Sequence, residues 1–183
     1  MKRRQWMTAK DLLRVNAFKW PNKIGAKDLY RTLTFRDWNE RACRLANALR
    51  RVGLEPGDRF AVLAYNCIEW MEIYAAAAKG GFICVPIMFR LAPSEMEYVL
   101  AHSDAKLLLV QDQWISRINE IKKAVPNVEK YVSFGSGHEG SSDYLSYEAL
   151  IEDASPEEPE VKVTGEDVWV ISTRAAQRGD RQG

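Results

Sequence analysis

The chain has 183 residues, 46% hydrophobic and 28% charged, with a net charge of +1. That length makes one domain the default and allows roughly 70% of the unfolded surface to be buried. The near-neutral balance argues against a general nucleic-acid binder, and the longest apolar stretches, Ile73 to Ala78 and Phe82 to Phe89, are far too short to span a membrane. The basic N-terminus, Met1 to Trp6, has no apolar run behind it and does not read as a secretory signal. Cys43, Cys67 and Cys84 are scattered through hydrophobic segments, which predicts buried free thiols in a reducing compartment. No two of them have ligand spacing, and His102 and His138 stand apart, so no metal site is predicted. These features together point to the cytoplasm.

In chain order, Thr8-Ala-Lys-Asp11 resembles a capping box and opens a short helix that Trp20-Pro21 closes. Ile24 to Leu33 forms a small hairpin with Lys27-Asp28 as its turn. Thr34-Phe-Arg-Asp37 caps a longer helix, with Trp38, Ala42, Leu45, Ala46 and Leu49 on one face and Arg36, Glu40, Arg41, Arg44 and Arg50 mainly on the other. Gly53 ends it. Glu55 to Asp58 is a turn in which Asp58 and Arg59 form a charge pair. Phe60 to Leu63 is a buried strand; Asn66 and Cys67 just after it could face a ligand, though Asn66 is expected to cap the next helix, Ile68 to Lys79. The Ala75 to Ala78 run lets that helix approach a sheet closely, Gly80-Gly81 ends it, and Trp38, Trp70 and Tyr74 are read as core.

Phe82 to Val85 is a second buried strand. Pro93 opens a helix to about His102. Lys106 to Val110 is the third strand, Ile115 to Ala124 a helix, and Lys130 to Ser133 a fourth, weaker strand. A Gly/Ser-rich loop from Gly135 to Asp143, a short helix from Ser146 to Asp153 and an acidic connector from Ser155 to Glu160 precede a last strand, Asp167 to Ser172. Strands alternating with helices imply an α/β fold, a mostly parallel sheet flanked by helices with right-handed crossovers. The carboxyl ends of such strands are where ligands bind.

Several phrases then carry a family resemblance: Leu33-Thr-Phe-Arg-Asp-Trp38, Arg44-Leu-Ala-Asn-Ala-Leu49, Gly53-Leu-Glu-Pro-Gly-Asp-Arg59, Ala61-Val-Leu-Ala-Tyr-Asn66, Glu72-Ile-Tyr-Ala-Ala-Ala-Ala-Lys79, Val85-Pro86 and Phe89-Arg-Leu-Ala-Pro-Ser-Glu95. In order and spacing they resemble the N-terminal part of the AMP-binding (adenylate-forming) acyl-CoA synthetases, of the long-chain fatty acid–CoA ligase kind. The resemblance implies a ligase that joins a fatty or aromatic carboxylic acid to AMP from MgATP, then passes the acyl group to coenzyme A. It also implies that Arg90 can meet the 3′-phosphate of coenzyme A, for which a planar guanidinium suits. The alternative is a surface Arg90 pairing with Glu95 or Glu97.

The same resemblance places a phosphate-binding loop, Tyr-Thr-Ser-Gly-Thr-Thr-Gly, where Thr173 to Gly183 stands instead. Such a loop surrounds phosphates with backbone N–H groups and hydroxyls. One base restored before codon 173 regroups permissible codons of residues 173–179 into that loop. Gln182-Gly183 does not admit the Lys that should follow. The expectation is a partial N-terminal domain over 1–172 and an out-of-frame tail over 173–183, inactive by itself. Two other readings are open: a non-catalytic nucleotide or coenzyme A binding module, and a non-functional product of a frameshifted gene. Arg178-Gly-Asp180 is too short a match to an integrin-binding tripeptide to carry weight.

Overall fold

The structure is a computed structural model that describes residues 7–135 and 143–172. The expected tail at 173–183, the first six residues and most of the Gly/Ser-rich loop lie outside the described residues.

Two reciprocal caps set the first half of the fold. Helix α1 (Ala9–Lys19) begins where the Thr8 hydroxyl accepts the Asp11 N–H and the Asp11 carboxylate accepts the Thr8 N–H at 3.1 Å. Thr34 and Asp37 repeat that arrangement ahead of α2 (Phe35–Arg51). Each such cap is worth about 1 kcal/mol. Between them strands β1 (Ile24–Lys27) and β2 (Thr32–Thr34) pair antiparallel. Their turn is Asp28 to Arg31, not Lys27-Asp28. The Asp28 carboxylate accepts the N–H groups of Tyr30 and Arg31 at 2.8 and 2.7 Å, and such a side-chain turn starts at the acidic residue.

The remaining elements are β3 (Arg59–Leu63), α3 (Glu69–Gly80), β4 (Ile83–Ile87), α4 (Pro93–His102), β5 (Leu107–Gln111), α5 (Ile115–Ile121), β6 (Lys130–Phe134), β7 (Leu145–Ser146) and α6 (Tyr147–Glu152). The sheet order is β4-β3-β5-β6-β7 and every pair is parallel. Sequence alone did not reveal β7, which is two residues long. Both faces are covered, so alternate strand residues feed different cores. Phe60, Val62, Leu107 and Leu109 pack with α2, α3 and α6, through Leu45, Leu49, Ile73, Ala77 and Tyr147. Ala61, Leu63, Leu108 and Val110 pack with α4 and α5, through Met96, Leu100 and Ile118. Burying each such aliphatic side chain contributes about 1.5–3 kcal/mol.

The chain reverses direction after β4, and its helices change face at the same place. Crossovers of one hand require that. At the end of α3, Gly81 has φ +70, and a Cβ on Gly80 would strike the Phe82 ring.

The predicted strand over Asp167 to Ser172 is corrected to a single bridge, Cys84 to Val170. Cys84 donates to Trp169 O and accepts from Ile171 N, both at 2.9 Å. The next β4 residue facing that edge is Pro86, two positions on. It has no N–H to give, and on the other side of Cys84 the Phe82 N–H is spent on Ala77 O, so among the described residues neither extends the bridge.

The charge pair expected within the turn does not form. Asp58 pairs with Lys106 at 2.8 Å and Arg59 with Asp104 at 3.2 Å, rather than with each other. The acidic connector is strapped down rather than loose. Asn47 holds the carbonyls of Ser155 and Glu157 at 2.9 Å, Lys10 those of Pro159 and Val161, and the fully buried Lys79 pairs with Glu158 at 2.5 Å.

Candidate functional site

Strand order 2-1-3-4 among β3 to β6 fixes where a ligand can sit. The connection leaving β3 runs over one face towards β4, and that leaving β5 runs over the other towards β6. The crevice beyond the carboxyl ends of β3 and β5 is therefore the topological switch point.

Three aromatic rings gather there. Tyr65, two residues past β3, lies 4.6 Å from Phe89 and 5.0 Å from Trp114, edge to face in both cases. Phe89, two residues past β4, lies 6.0 Å from Trp114, which ends a single 3-10 turn (Asp112–Trp114) after β5. One side chain ties two of the loops: Gln111 Oε1 accepts the Tyr65 N–H at 2.8 Å and a Gln113 amide N–H at 3.0 Å. The Trp70 indole N–H fixes the Tyr65 carbonyl at 2.9 Å.

Arg90 is exposed on this edge, its guanidinium 5.5 Å from the Phe89 ring centre. It makes no ion pair among the described residues, and the alternative pairing with Glu95 or Glu97 is absent. Glu95 instead accepts the Ala92 N–H at 2.8 Å and caps α4. Arg117 reaches the same cluster from α5. Its guanidinium lies 5.0 Å from the Trp114 ring centre, and Nη1 donates to Leu91 O at 3.4 Å. Two aromatic-backed cations without carboxylate partners can hold an anion, and planar guanidinium groups favour phosphate oxygens.

Other predicted residues fall away from this crevice or take different roles. Asn66 is exposed near it but does not cap α3. The cap position is Ile68, whose N–H is held by Asp28 at 3.2 Å. Cys67 is half-buried, not buried like Cys43 and Cys84. Burial pushes all three thiols up to about 12, too high for a nucleophilic thiolate near neutrality. His102 ends α4 and stacks on Tyr98.

Trp38, Trp70 and Tyr74 are half-buried at the margin of the core. Trp38 and Tyr74 line a largely apolar cavity of about 430 Å³ between α1, α2 and α3, closed by Trp169 and Val170. The segment leading to Ser172 thus forms its wall. Among the described residues no helix is long and apolar enough to cross a membrane.

With this geometry in view, the sequence profile of the family described as "AMP-binding enzyme" matches residues 13–172. The chain belongs to the AMP-binding enzyme family. It is similar to the medium-chain-fatty-acid–CoA ligase of Ectopseudomonas oleovorans, 35% identical over 62% of this chain and 22% of that protein. It is also similar to the 3-oxocholest-4-en-26-oate–CoA ligase of Rhodococcus rhodochrous, 28% identical over 84% of this chain and 28% of that one. Its fold superposes on the anthranilate CoA ligase AuaEII, solved with anthranoyl-AMP, at a TM-score of 0.85 and 28% identity, over 91% of this chain and 32% of that one. The chain thus spans between about a fifth and a third of the length of these AMP-binding relatives.

Of the residues in the crevice, the sequence singled out only Arg90 and Asn66. Tyr65, Gln111, Trp114 and Arg117 were missed. For the first three the available signal was position: an aromatic or amide residue at, or within three places of, the end of β3 or β5.

Proposed function

We propose that the chain is the N-terminal part of an ATP-dependent acyl-CoA synthetase, which converts a carboxylic acid, ATP and coenzyme A into acyl-CoA, AMP and diphosphate. Residues 1–172 form a partial N-terminal domain, residues 173–183 an out-of-frame tail, and this polypeptide alone does not adenylate. The observation that carries the reading is the family match over 13–172 in a chain that spans 22–32% of its relatives. The whole enzyme would use MgATP and coenzyme A in the cytoplasm and take a fatty or aromatic acid, the classes its relatives are named for.

Adenylation converts the carboxylate, a poor acyl donor to a thiol, into an acyl group with a good leaving group. Arg90 would meet a phosphate of coenzyme A, supported by its exposure and its lack of a carboxylate partner. A second observation favours a part over a free-standing module. Large apolar side chains stand open near the 168–172 segment and on α1, with Phe18 87%, Leu12 56% and Val168 56% exposed.

ATP–pyrophosphate exchange on the purified 183-residue chain, with magnesium and a panel of fatty and aromatic acids, tests the proposal. Background exchange is expected. Exchange that depends on the acid overturns it.

A further inference from the structure

Arg117 is not part of any phrase that carried the family resemblance, yet among the half-buried helix arginines of the described residues, Arg41, Arg44 and Arg117, it alone has no carboxylate partner; the exposed Arg36, Arg50 and Arg51 also lack one. Arg41 is gripped by Glu72 and Glu148, and Arg44 by Glu40. Arg117 has no carboxylate partner among the described residues. It is half-buried against Trp114, and one N–H is spent on Leu91 O, the carbonyl next along from Arg90. A guanidinium keeps further donors after one such bond.

The ring beneath it adds an independent observation. Trp114 is 8% exposed, and its indole Nε1 is a buried donor with no acceptor among the described residues. Buried donors are rarely left so, because an unmade bond costs about 1–3 kcal/mol. Arg90 and Arg117 thus stand without carboxylate partners on linked rings at the switch-point crevice, and a ligand that brings its own negative charge fits them.

We propose that Arg117 is a second anion-binding residue of this crevice, acting beside Arg90 on a phosphate monoester of a nucleotide-like ligand. The inference rests on reading this edge as the coenzyme A site, and it names a residue which that reading does not include. Arg117 would bind the phosphate directly and, through Leu91 O, hold the loop that presents Arg90.

The test is calorimetric titration of the full 183-residue chain with adenosine 3′,5′-bisphosphate and with AMP. The ratio of the two affinities isolates the extra phosphate. The intact chain should bind the bisphosphate about tenfold tighter, the scale of one charge-assisted contact. Arg117→Met should bring the ratio close to one, Arg117→Lys should keep part of it, and both should melt like the parent chain. Equal weakening of both ligands by Arg117→Met would mean that the residue only holds the loop, and overturns direct binding. An unchanged ratio overturns it as well.

Arg90→Ala separates the two readings. If it keeps the ratio while Arg117→Met abolishes it, Arg117 stands and the Arg90 assignment falls. The converse removes Arg117 and keeps Arg90. A ratio of one in the parent chain overturns both.

Discussion

The α2/α3 face and the carboxyl edge of the sheet use the same residue type to opposite ends. On the α2/α3 face the half-buried Arg31, Arg41 and Arg44 each find a carboxylate, while the exposed Arg51 donates to backbone carbonyls of Asp153 and Leu150. Arg41 donates to the fully buried Glu72 at 2.7 Å and to Glu148, and Tyr147, also fully buried, donates its hydroxyl to Glu72 at 2.8 Å. Burial, followed by the Glu72 charge, holds the Tyr147 phenol well above its ordinary range, so it remains a donor. At the carboxyl edge Arg90 and Arg117 rest on aromatic rings with no counter-charge. A buried charge must be paired to be tolerated, whereas a solvated cation on a ring can wait for a ligand. The pairing state, rather than the residue type, separates structure from site.

That contrast predicts a graded series in thermal unfolding. The largest effect belongs to Glu72→Ala, which takes the buried partner from Arg41, leaving it Glu148 alone, and the acceptor from Tyr147. Removing one member of a buried pair costs about 3–5 kcal/mol, so Tm should fall by about 10 °C or more for a chain of this size. A change of only a degree or two would break the comparison. Lys79→Met should come next, at about 1–3 kcal/mol, the scale of an unmade bond rather than of a stranded buried charge. The apolar replacement fills the buried space, and the partly exposed Glu158 can turn to water. Limited proteolysis should then cut within Ser155 to Val161, since that strap loses a clamp.

Smaller again is a pH effect. The Asp11 carboxyl is held below its ordinary 3.8 by the Thr8 N–H and hydroxyl, and that of Asp28 by the Arg31 and Tyr30 N–H groups. A carboxyl whose folded pKa is depressed contributes stability that is present above the unfolded value and lost as pH falls through the folded one. Tm should therefore be level above about pH 5 with respect to these groups and decline below 3.8. Asp28→Asn should reduce that decline, and an identical acid profile in the variant would remove Asp28 from the account. The smallest effect is Arg90→Ala, within about 0.5 kcal/mol because the side chain is exposed and unpaired. A larger loss would place Arg90 with the structural arginines.

The fold was legible where local chemistry decides it. Thr8 with Asp11, Thr34 with Asp37, and Pro93 mark helix starts by adjacent residues alone. The run Leu107 to Val110 declares a strand buried on both faces. What stayed hidden depends on partners far along the chain. Nothing near Glu72 says that Tyr147 will reach it, and nothing near Lys79 says that Glu158 will cover it. The strand expected over Asp167 to Ser172 is reduced to one bridge by its partner edge some eighty residues earlier, where the Phe82 N–H is already spent on Ala77 O and Pro86 has none. The candidate site was readable only in part: Arg90 sits in a quotable phrase, whereas Arg117 acquires its setting from Leu91 and Trp114.

The central claim, that this chain is part of an acyl-CoA synthetase whose phosphate loop has been lost by a change of frame, meets its most direct test in the DNA. The gene should be read across codons 165–183 and onward. The account predicts that one restored base before codon 173 yields Tyr-Thr-Ser-Gly-Thr-Thr-Gly and opens a long reading frame coding for the rest of a ligase. Codons that admit no such regrouping, with no ligase-like frame downstream, would contradict it.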